Sequence, residues 1–233
     1  MSKKIGVIIF PGSNCDHDAY HAMKHVMGAD TKFIWHKEHD LSEVDLLVIP
    51  GGFSYGDYLR SGAIARFSPI MQAVVRYAEE GRPVMGICNG FQILLESGLL
   101  PGAMLHNRKL RFICKNVSVR TENNQTIYTK GLREGDVLTF PVSHGEGNYF
   151  IDDDGLKRLQ DNRQVIFRYC DGDGELTEES NINGSVDSIA GICNAGGNIL
   201  GMMPHPERAV ESLLGTDDGK KLFETVLDEL APA

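Results

Sequence analysis

Residues 83–92 of this 233-residue chain read Pro-Val-Met-Gly-Ile-Cys-Asn-Gly-Phe-Gln. An apolar strand here meets the start of a helix at a Gly-x-Cys-x-Gly turn, which is typical of a nucleophile elbow with sulfur in place of oxygen. Gly86 and Gly90 lack the side chains that would crowd such a turn, and Cys88 projects at the helix start, where free N–H groups and the helix dipole favour a thiolate. The stretch indicates an α/β fold with Cys88 as candidate nucleophile. Tight strand–helix packing around a structural cysteine is the alternative.

Short apolar runs that end in Gly or Pro recur along the first half of the chain. They lie at Lys4–Phe10, Asp45–Pro50 and Pro83–Cys88, and they are typical of strands that are buried on both faces. Strands that alternate with helices of about a dozen residues indicate βαβ units, so we expect a parallel sheet here.

Helical periodicity fills the gaps between these strands. Apolar residues recur at the i, i+3, i+4 spacing in Asp16–Ala29, where Asp16 or Asp18 is available as an N-cap. The same spacing recurs in Ser68–Glu80, which is closed by Gly81. Both segments are predicted to be helices that pack on the sheet.

The second half of the chain has a different character. Leu110–Arg120 and Val137–Val142 look like strands with few helices between them, and residues 189–194 and 198–203 predict a hairpin. A final helix is expected near Lys220–Leu230. The overall prediction is an α/β fold whose mainly parallel central sheet, flanked by helices, carries an antiparallel extension.

The chain shows no internal repeat, linker or low-complexity tract, so residues 1–233 are expected to form a single domain. Asp171–Ser185 is acidic and glycine-rich, which makes this segment the best candidate for a mobile loop, with a solvated surface as the simpler explanation.

The charge balance argues against two classes of partner. Asp and Glu outnumber Lys and Arg by 32 to 23, and the resulting net charge of −9 would repel a phosphate backbone, so no nucleic acid is expected. No segment approaches the roughly 20 apolar residues that a membrane span needs. The N-terminal sequence lacks the pattern of a signal peptide. We therefore expect a cytoplasmic protein without a membrane partner.

The cysteines do not form a disulfide framework or a metal site. There are five, an odd number without any CxxC pair, so free thiols and no bound metal are expected. Most free cysteines are small buried packing residues. The four other than Cys88 are assigned to that role: Cys15, Cys114, Cys170 and Cys193.

A thiol nucleophile needs a base, and the eight histidines are the candidates. Six of them lie on a polar helix face, in a hydrophilic stretch or in a loop, and are expected to be solvated or peripheral: His17, His21, His25, His36, His39 and His106. His144 and His205 remain.

His205 is flanked by Pro204 and Pro206 at the end of an apolar run, and proline restricts both its own backbone and that of the preceding residue. Such a rigid exit can aim an imidazole. Glu207 lies two residues on, where it can orient the ring and stabilise its cation. A surface His-Pro-Glu turn is the alternative for this tripeptide alone.

Together these segments resemble the class I, triad-type glutamine amidotransferases, in which an elbow cysteine is followed more than a hundred residues later by His-x-Glu. The resemblance implies a flavodoxin-like fold and a catalytic triad of Cys88, His205 and Glu207. Asn89, the residue after the nucleophile, is a natural donor for an oxyanion hole. The Gly51-Gly52 turn resembles the family segment that supplies the second donor, assigned to Gly52.

The resemblance also implies a site for the substrate glutamine. Pro141–Gly147 is similar to the strand whose backbone receives the α-amino and α-carboxylate groups, so His144 is interpreted as a positioning residue. The substrate-binding residues implied are Gly51, Gln92, Ser143, His144, Gly145 and Glu146.

Within this class the sequence is most similar to the small amidotransferase subunits of phosphoribosylformylglycinamidine synthases, through residues 10–16, 51–60 and 141–147. Residues 215–221 lack the spacing and the Ser or Thr of a P-loop. The resemblance implies no cofactor on this chain. It implies a synthetase partner that uses ATP and Mg, a small accessory protein in the same complex, and a role in purine biosynthesis. Asn14, Asp16, Tyr55 and Arg60 become candidates for a partner-facing surface.

Two other functions compete with this interpretation. A stand-alone cysteine hydrolase or peptidase could use the same scaffold, and it would turn over its own substrate without a partner. A non-catalytic module with a redox-sensing Cys88 would need neither His205 nor Glu207. Labelling of Cys88 alone by an electrophilic glutamine analogue would exclude both.

Overall fold

The computed structural model describes residues 2–230, and its centre is one nine-stranded sheet. The spatial order of the strands is β2-β1-β3-β4-β11-β10-β9-β6-β7, and β5 and β8 pair separately. The strands are β1 Lys4–Ile9, β2 Asp30–Trp35, β3 Leu46–Ile49, β4 Val84–Ile87, β5 Ala103–Leu105, β6 Ile113–Thr121, β7 Val137–His144, β8 Asn148–Phe150, β9 Val165–Cys170, β10 Ile189–Cys193 and β11 Ile199–Met202.

Five α-helices flank the sheet within residues 2–230: α1 Asp16–His21, α2 Pro69–Glu79, α3 Asn89–Glu96, α4 Asp153–Asp161 and α5 Asp218–Glu229. The buried apolar side chains from both halves of the chain form one continuous core. In this described part of the chain, no helix is long and apolar enough to cross a bilayer.

The parallel half of the sheet confirms the fold class predicted from the sequence. β2, β1, β3, β4 and β11 all run in the same direction, and β4 lies between β3 and β11. Because the carboxyl ends of parallel strands meet at one edge of the sheet, the segments that follow β3, β4 and β11 are brought together. Those segments begin at Pro50, Cys88 and Met203.

The other half is the expected antiparallel extension, and the predicted hairpin of β10 and β11 is confirmed. Four elements of this half were not predicted: the short strands β5 and β8, which pair with each other, and α4 and β9, which separate β8 from β10. The strand predicted over Leu110–Arg120 starts only at Ile113. Cys114, on that strand, is exposed, so its assignment as a packing residue is wrong.

The first predicted helix differs in detail. α1 ends at His21 and continues as a π-helical turn over Ala22–Val26. The proposed Asp16 or Asp18 cap is wrong, because Cys15 occupies the N-cap position and no side chain caps the helix. Asp16 is itself the first helical residue and is buried.

The edge strand β2 was not predicted, and this omission explains the error at His36. His36 directly follows β2 and is buried, not solvated. Its Nδ1 is 2.8 Å from the hydroxyl of Tyr55, which also contacts Ser68 Oγ at 2.8 Å. Burial lowers the pKa of His36, so the ring serves this internal network as a neutral group.

The elbow depends on an unusually close approach between the start of α3 and the end of β3. A Cβ atom added at Gly90 would lie 1.9 Å from the carbonyl oxygen of Ile49, and one at Gly86 would lie 2.5 Å from Leu94 Cδ1. The first distance is far below van der Waals contact, and the backbone at both positions is fixed by packing. The glycine requirement inferred from the sequence therefore has a direct steric cause.

Gly90→Ala should destabilise the protein, because α3 must then move away from β3. Overpacking of this kind costs about 1–3 kcal/mol or more, and chemical denaturation followed by circular dichroism measures it. Gly172→Ala is the matched control, since a Cβ there meets no atom within 4 Å. Equal stability of the two variants would contradict the steric explanation.

Candidate active site

Cys88 lies at the turn between β4 and α3, at the carboxyl edge of the parallel strands. Its φ of 50° and ψ of −105° are strained for a non-glycine residue. Its N–H donates to the carbonyl of Met202 at 2.8 Å, which ties the elbow to β11. The surrounding structure holds the nucleophile candidate in a conformation that a free chain would avoid, as is usual for a nucleophile elbow.

His205 follows β11 and is brought to the same edge. Its backbone N–H donates to the carbonyl of Pro141 on β7 at 2.9 Å, and its Nδ1 lies 2.6 Å from Glu207 Oε1. Only 1% of His205 and 2% of Glu207 is exposed. The alternative of a surface His-Pro-Glu turn is therefore wrong: the pair is buried and faces inward.

The protonation of His205 reflects opposing effects. Burial lowers the pKa of His205. The negative charge of Glu207 and the interaction with Cys88 raise it by more than burial lowers it, so the net pKa lies well above the usual value for histidine. With Nδ1 engaged by Glu207, Nε2 has no hydrogen-bond partner among residues 2–230. Nε2 of His205 thus remains available for proton transfer with Cys88 or a bound substrate.

Asn89 and Gly52, the two residues predicted to supply oxyanion donors, each have a distinct backbone environment. Asn89 is the first residue of α3, so its N–H has no acceptor within the helix. The peptide between Gly51 and Gly52 accepts a 3.3 Å hydrogen bond from the Cys15 N–H at its carbonyl. Because the C=O and N–H of a peptide point in opposite directions, the Gly52 N–H is directed away from Cys15. Gly52 and Cys88 line the same pocket, and Asn89 directly follows Cys88, so the assignment of the Gly52 and Asn89 N–H groups as oxyanion donors stays a prediction.

Gly51 itself is buried beneath this turn, against the triad. A Cβ there would lie 2.7 Å from His205 Cε1, 3.1 Å from Cys15 Sγ and 3.4 Å from Cys88 Cβ. Gly51 is therefore required for the close approach of the turn to the catalytic groups. The sequence predicted that Gly51 contacts the substrate, but Gly52 is the glycine of this turn that lines the pocket.

A pocket of about 220 Å³ opens beside Cys88 and contains most of the predicted substrate residues. Its lining comprises Gly52, Phe53, Asp57, Ser61, Cys88, Gln92, His106, Phe112, Ser143, His144, Gly145 and Glu146. Gln92 is fixed on both sides of its amide: Nε2 donates to the Glu146 carbonyl at 2.6 Å, and Oε1 accepts from Asn89 Nδ2 at 2.9 Å.

His144 is buried in the wall of this pocket. Asn107 Nδ2 donates to the carbonyls of Arg111 and His144, which leaves Asn107 Oδ1 to accept from His144 Nδ1 at 3.0 Å. Burial and the nearby His205 lower the pKa of His144 to about 4. It is therefore neutral at physiological pH, consistent with the positioning role expected for it and not with that of a base paired to Cys88.

Comparison with known proteins bears on the family of this chain. The family model for the CobB/CobQ-like glutamine amidotransferase domain matches residues 2–220. The chain belongs to this family. Among curated relatives, the phosphoribosylformylglycinamidine synthase subunit PurQ of Salinibacter ruber is 59% identical, with 99% of this chain and 98% of the relative covered. PurQ of Synechocystis sp. is also 59% identical, with 94% of this chain and 97% of the relative covered.

Solved structures agree with the fold of this amidotransferase. A chain of the PurLQS structure from Thermotoga maritima is similar at a TM-score of 0.87 and 44% identity, with 99% of this chain and 100% of that chain covered. A glutamine amidotransferase from the same organism has a TM-score of 0.57 at 16% identity, with 99% and 84% covered, and shows the shared fold only.

A second thiol lies beside the triad, and no sequence pattern indicated it. Cys15 was assigned as an ordinary packing residue, but its Sγ, a nitrogen of His205 and an oxygen of Glu207 lie within 4.8 Å of one another. Arg208 Nη2 donates to that sulfur at 3.1 Å, and a guanidinium there opposes a bound cation. Burial raises the pKa of Cys15, so it remains a thiol. Its contact with His205 joins positions that are far apart in the sequence, which is why local patterns do not reveal it.

The four candidates for a partner-facing surface have different surroundings. Asn14 and Arg60 are exposed, and Arg60 makes a two-pronged contact with Glu96. Asp16 is buried, and Tyr55 is half-buried in the network with His36. Asp16 is therefore wrong as a surface candidate because it is buried, whereas the candidacy of the partly exposed Tyr55 stays a prediction.

The segment Asp171–Ser185 consists of turns, and its end is bonded to the chain after β7. Asn183 is buried and donates from Nδ2 to the carbonyl of Gly147 at 2.7 Å, while Ser185 Oγ donates to the same carbonyl at 3.2 Å. Gly147 follows the strand that carries His144. This part of the segment is therefore buried and bonded to the chain just beyond the pocket-lining residues 143–146, so the simpler explanation of a solvated surface does not cover it.

Glu207→Gln should lower kcat for glutamine hydrolysis by about 10³–10⁴-fold with little change in KM, because a neutral amide cannot stabilise the His205 cation or select its tautomer. Steady-state glutamate release by the assembled enzyme measures both constants. Glu211→Gln is the control, since Glu211 forms an exposed pair with His21 at 2.9 Å. A rise in KM at unchanged kcat would instead assign Glu207 to substrate binding.

Proposed function

We propose that this chain is the glutamine-hydrolysing subunit of a phosphoribosylformylglycinamidine synthase. It would hydrolyse glutamine with Cys88, His205 and Glu207 and pass ammonia to a synthetase that converts formylglycinamide ribonucleotide to formylglycinamidine ribonucleotide. The observation that carries the proposal is the buried His205–Glu207 pair beside a strained elbow cysteine at the mouth of a polar pocket. The 59% identity to PurQ of Salinibacter ruber over 99% of this chain supports the assignment to phosphoribosylformylglycinamidine synthase.

The first half of the reaction forms a thioester. The thiolate sulfur of Cys88 attacks the carboxamide carbon of glutamine, and the developing oxyanion is stabilised by the N–H groups of Gly52 and Asn89. The protonated Nε2 of His205 then gives its proton to the departing nitrogen as the C–N bond breaks, so that ammonia leaves.

The second half releases glutamate. His205, now neutral, takes a proton from a water molecule that attacks the γ-glutamyl thioester, and the C–S bond breaks to return Cys88. Glu207 holds the imidazole through Nδ1 in both halves and stabilises its charged form. The pocket wall from Ser143 to Glu146 would position the substrate.

The remaining parts of the activity are proposed to lie outside this chain. No cofactor or metal is needed for the thioester chemistry, and ATP and Mg would be used by the synthetase partner. A small accessory protein would complete the assembly, in line with the PurLQS complex to which this chain is similar. Residues 1–233 would act as one amidotransferase domain in the cytoplasm.

Cys88→Ala should abolish glutamine-dependent synthesis in the reconstituted complex but leave synthesis from added ammonium salt, because only ammonia generation uses the thiol. Formation of the amidine product from each nitrogen source measures this. Cys193→Ala, at a buried cysteine of β10, is the matched control and should retain both activities. Loss of both activities in a folded, assembled Cys88→Ala complex would refute the assignment.

A second prediction concerns coupling to the partner. Ammonia that is released into water at neutral pH becomes ammonium, which is not a nucleophile, so hydrolysis should be fast only when the synthetase is ready. The Gly51–Gly52 peptide is the part best able to respond: Gly52 has φ +138°, and the backbone hydrogen bond from Cys15 to that peptide carbonyl is long, at 3.3 Å.

We expect the isolated chain to hydrolyse glutamine about 10²–10³ times more slowly than the assembled complex, which is the cost of one missing oxyanion donor. Glutamate release with and without the synthetase and its nucleotide measures the ratio. Equal rates would mean that the site is already complete in the free chain, and the gating hypothesis would be dropped.

A further inference from the structure

Arg208 lies three residues after His205 and takes no part in the proposed chemistry. Its guanidinium points to the loop after β1 and to α1: Nη2 donates to Cys15 Sγ at 3.1 Å, and Nε donates to Asp18 Oδ2 at 2.9 Å. The same sulfur lies within 4.8 Å of a nitrogen of His205 and an oxygen of Glu207. Two partners therefore hold a permanent positive charge next to the thiol that adjoins the triad.

This charge acts on Glu207 through space. Glu207 Oε1 is engaged by His205, and its buried Oε2 has no hydrogen-bond partner within residues 2–230. Burial lowers the pKa of Arg208, but the interaction with Cys15 and the negative charges of Asp18 and Glu207 raise it by more, so its net pKa lies above the usual value. Because the carboxylate is buried, water screens its attraction to the guanidinium less than at the surface. Arg208 therefore opposes part of the negative charge that Glu207 presents to His205.

The second half of the proposed reaction makes this opposition useful. His205 is protonated when ammonia leaves, but it must be neutral to take a proton from the water that attacks the thioester. Burial lowers the pKa of His205, whereas Glu207 and Cys88 raise it well above the usual value. In the thioester the sulfur of Cys88 carries no charge, but Glu207 still favours the imidazolium. An imidazolium that is too stable cannot act as a base, so a cation that weakens the effect of Glu207 favours hydrolysis.

The elements that pack on residues 205–208 bring further charges to the same region. β7 contributes His144, which burial and the nearby His205 keep neutral at physiological pH by lowering its pKa. The lysines of α5 are paired with carboxylates of the same helix: Lys221 with Asp218 at 2.6 Å, and Lys220 with Glu224 at 3.8 Å. The elbow, the loop after β1 and α1 contribute the following groups: Cys88, Cys15, Asp16, His17, Asp18 and His21. Within the described residues, Arg208 is therefore the permanent cation that the structure couples to Glu207.

We infer that Arg208 is a positioning residue that keeps His205 able to act as a base, because its fixed positive charge offsets part of the negative charge of Glu207. Asp18 and Cys15 orient the guanidinium for this role. The inference rests on the proposed function, since it takes thioester hydrolysis as the step that needs a neutral His205. It also gives Cys15 a function, which is to hold a guanidinium nitrogen near the triad while it remains an uncharged thiol.

The competing explanation is that Arg208 is only a clamp. Its hydrogen bond to Asp18 joins residues 206–208 to α1, and loss of that bond from either side would loosen the same segment. Under the clamp explanation, Asp18→Asn and Arg208→Gln should have the same effect. Under the charge explanation their effects should differ in sign, because Asp18→Asn leaves the positive charge of Arg208 less compensated.

The experiment measures kcat for glutamate release by the assembled complex as a function of pH. Arg208→Gln removes the positive charge, so the pKa of His205 in the thioester should rise and the acid limb of kcat should move to higher pH. The expected shift is about 0.5–1 pH unit, smaller than that of a close buried charge because the guanidinium is partly exposed. Arg208→Lys retains the charge and should keep the limb of the unsubstituted enzyme. Asp18→Asn should move the limb the opposite way, to lower pH.

A second measurement identifies the step that is slowed. Acid quenching during turnover with labelled glutamine traps the γ-glutamyl group on Cys88, and the protein-bound label reports the fraction of enzyme in the thioester. Below the acid limb, Arg208→Gln should hold more bound label than the unsubstituted enzyme, because hydrolysis of the thioester is the slowed step. A lower kcat without a gain in bound label would assign the loss to thioester formation and overturn the inference.

The pH profiles can also overturn the inference. An unmoved acid limb in Arg208→Gln would do so, as would a shift to higher pH in Arg208→Lys or Asp18→Asn. If Arg208→Gln does not fold, Asp18→Asn decides alone, and an unmoved limb there would overturn the inference. Arg163→Gln, at an exposed arginine paired with Glu134 at 2.8 Å, controls for net charge and should keep the unsubstituted profile. Absence of glutamine hydrolysis by the unsubstituted complex would instead overturn the proposed function.

Discussion

The site depends on one steric constraint, the contact between the start of α3 and the end of β3. With Gly90 against the carbonyl of Ile49, α3 begins two residues after β4 ends, and Cys88 must adopt its positive-φ conformation between them. The same approach places the free N–H groups of α3 beside the sulfur and brings Asn89 into reach of the pocket loops. A larger residue at position 90 would separate the nucleophile from its donors.

The order of the strands then supplies the base. β11 returns beside β4 in parallel, although it belongs to a hairpin of the antiparallel half. His205 therefore leaves the same edge of the sheet as Cys88, and its backbone is tied to Pro141 of β7. Two regions of the chain that differ in architecture thus meet at the triad, and burial strengthens the interaction of Glu207 with the ring.

Local sequence patterns were sufficient for the parts of the fold that local physics controls. The apolar runs before Gly or Pro marked β1, β3 and β4, and the elbow glycines were identified with the correct steric reason. The edge strand β2 was missed because its exposed face breaks the apolar run. The burial of His36 was missed with it, since the partner of that ring, Tyr55, lies in a distant loop. Cys15 and Asp57 likewise lie in loops that resemble ordinary polar turns. The contacts that explain their positions are with residues about 30 or more positions away in the sequence.

The loop that carries Cys15 has a mechanical consequence for the site. Its sulfur lies beside His205, and its N–H donates to the Gly51 carbonyl. In the same loop, the carbonyl of Gly12 accepts from the Phe53 N–H at 3.1 Å, so the loop after β1 and the turn after β3 are joined on both sides of Gly52. A displacement of the first loop would change the direction of the Gly52 N–H and the packing around His205 together. If both groups stabilise the same transition state, as proposed, we expect hydrolysis to respond to the position of a loop that contributes no atom to the chemistry.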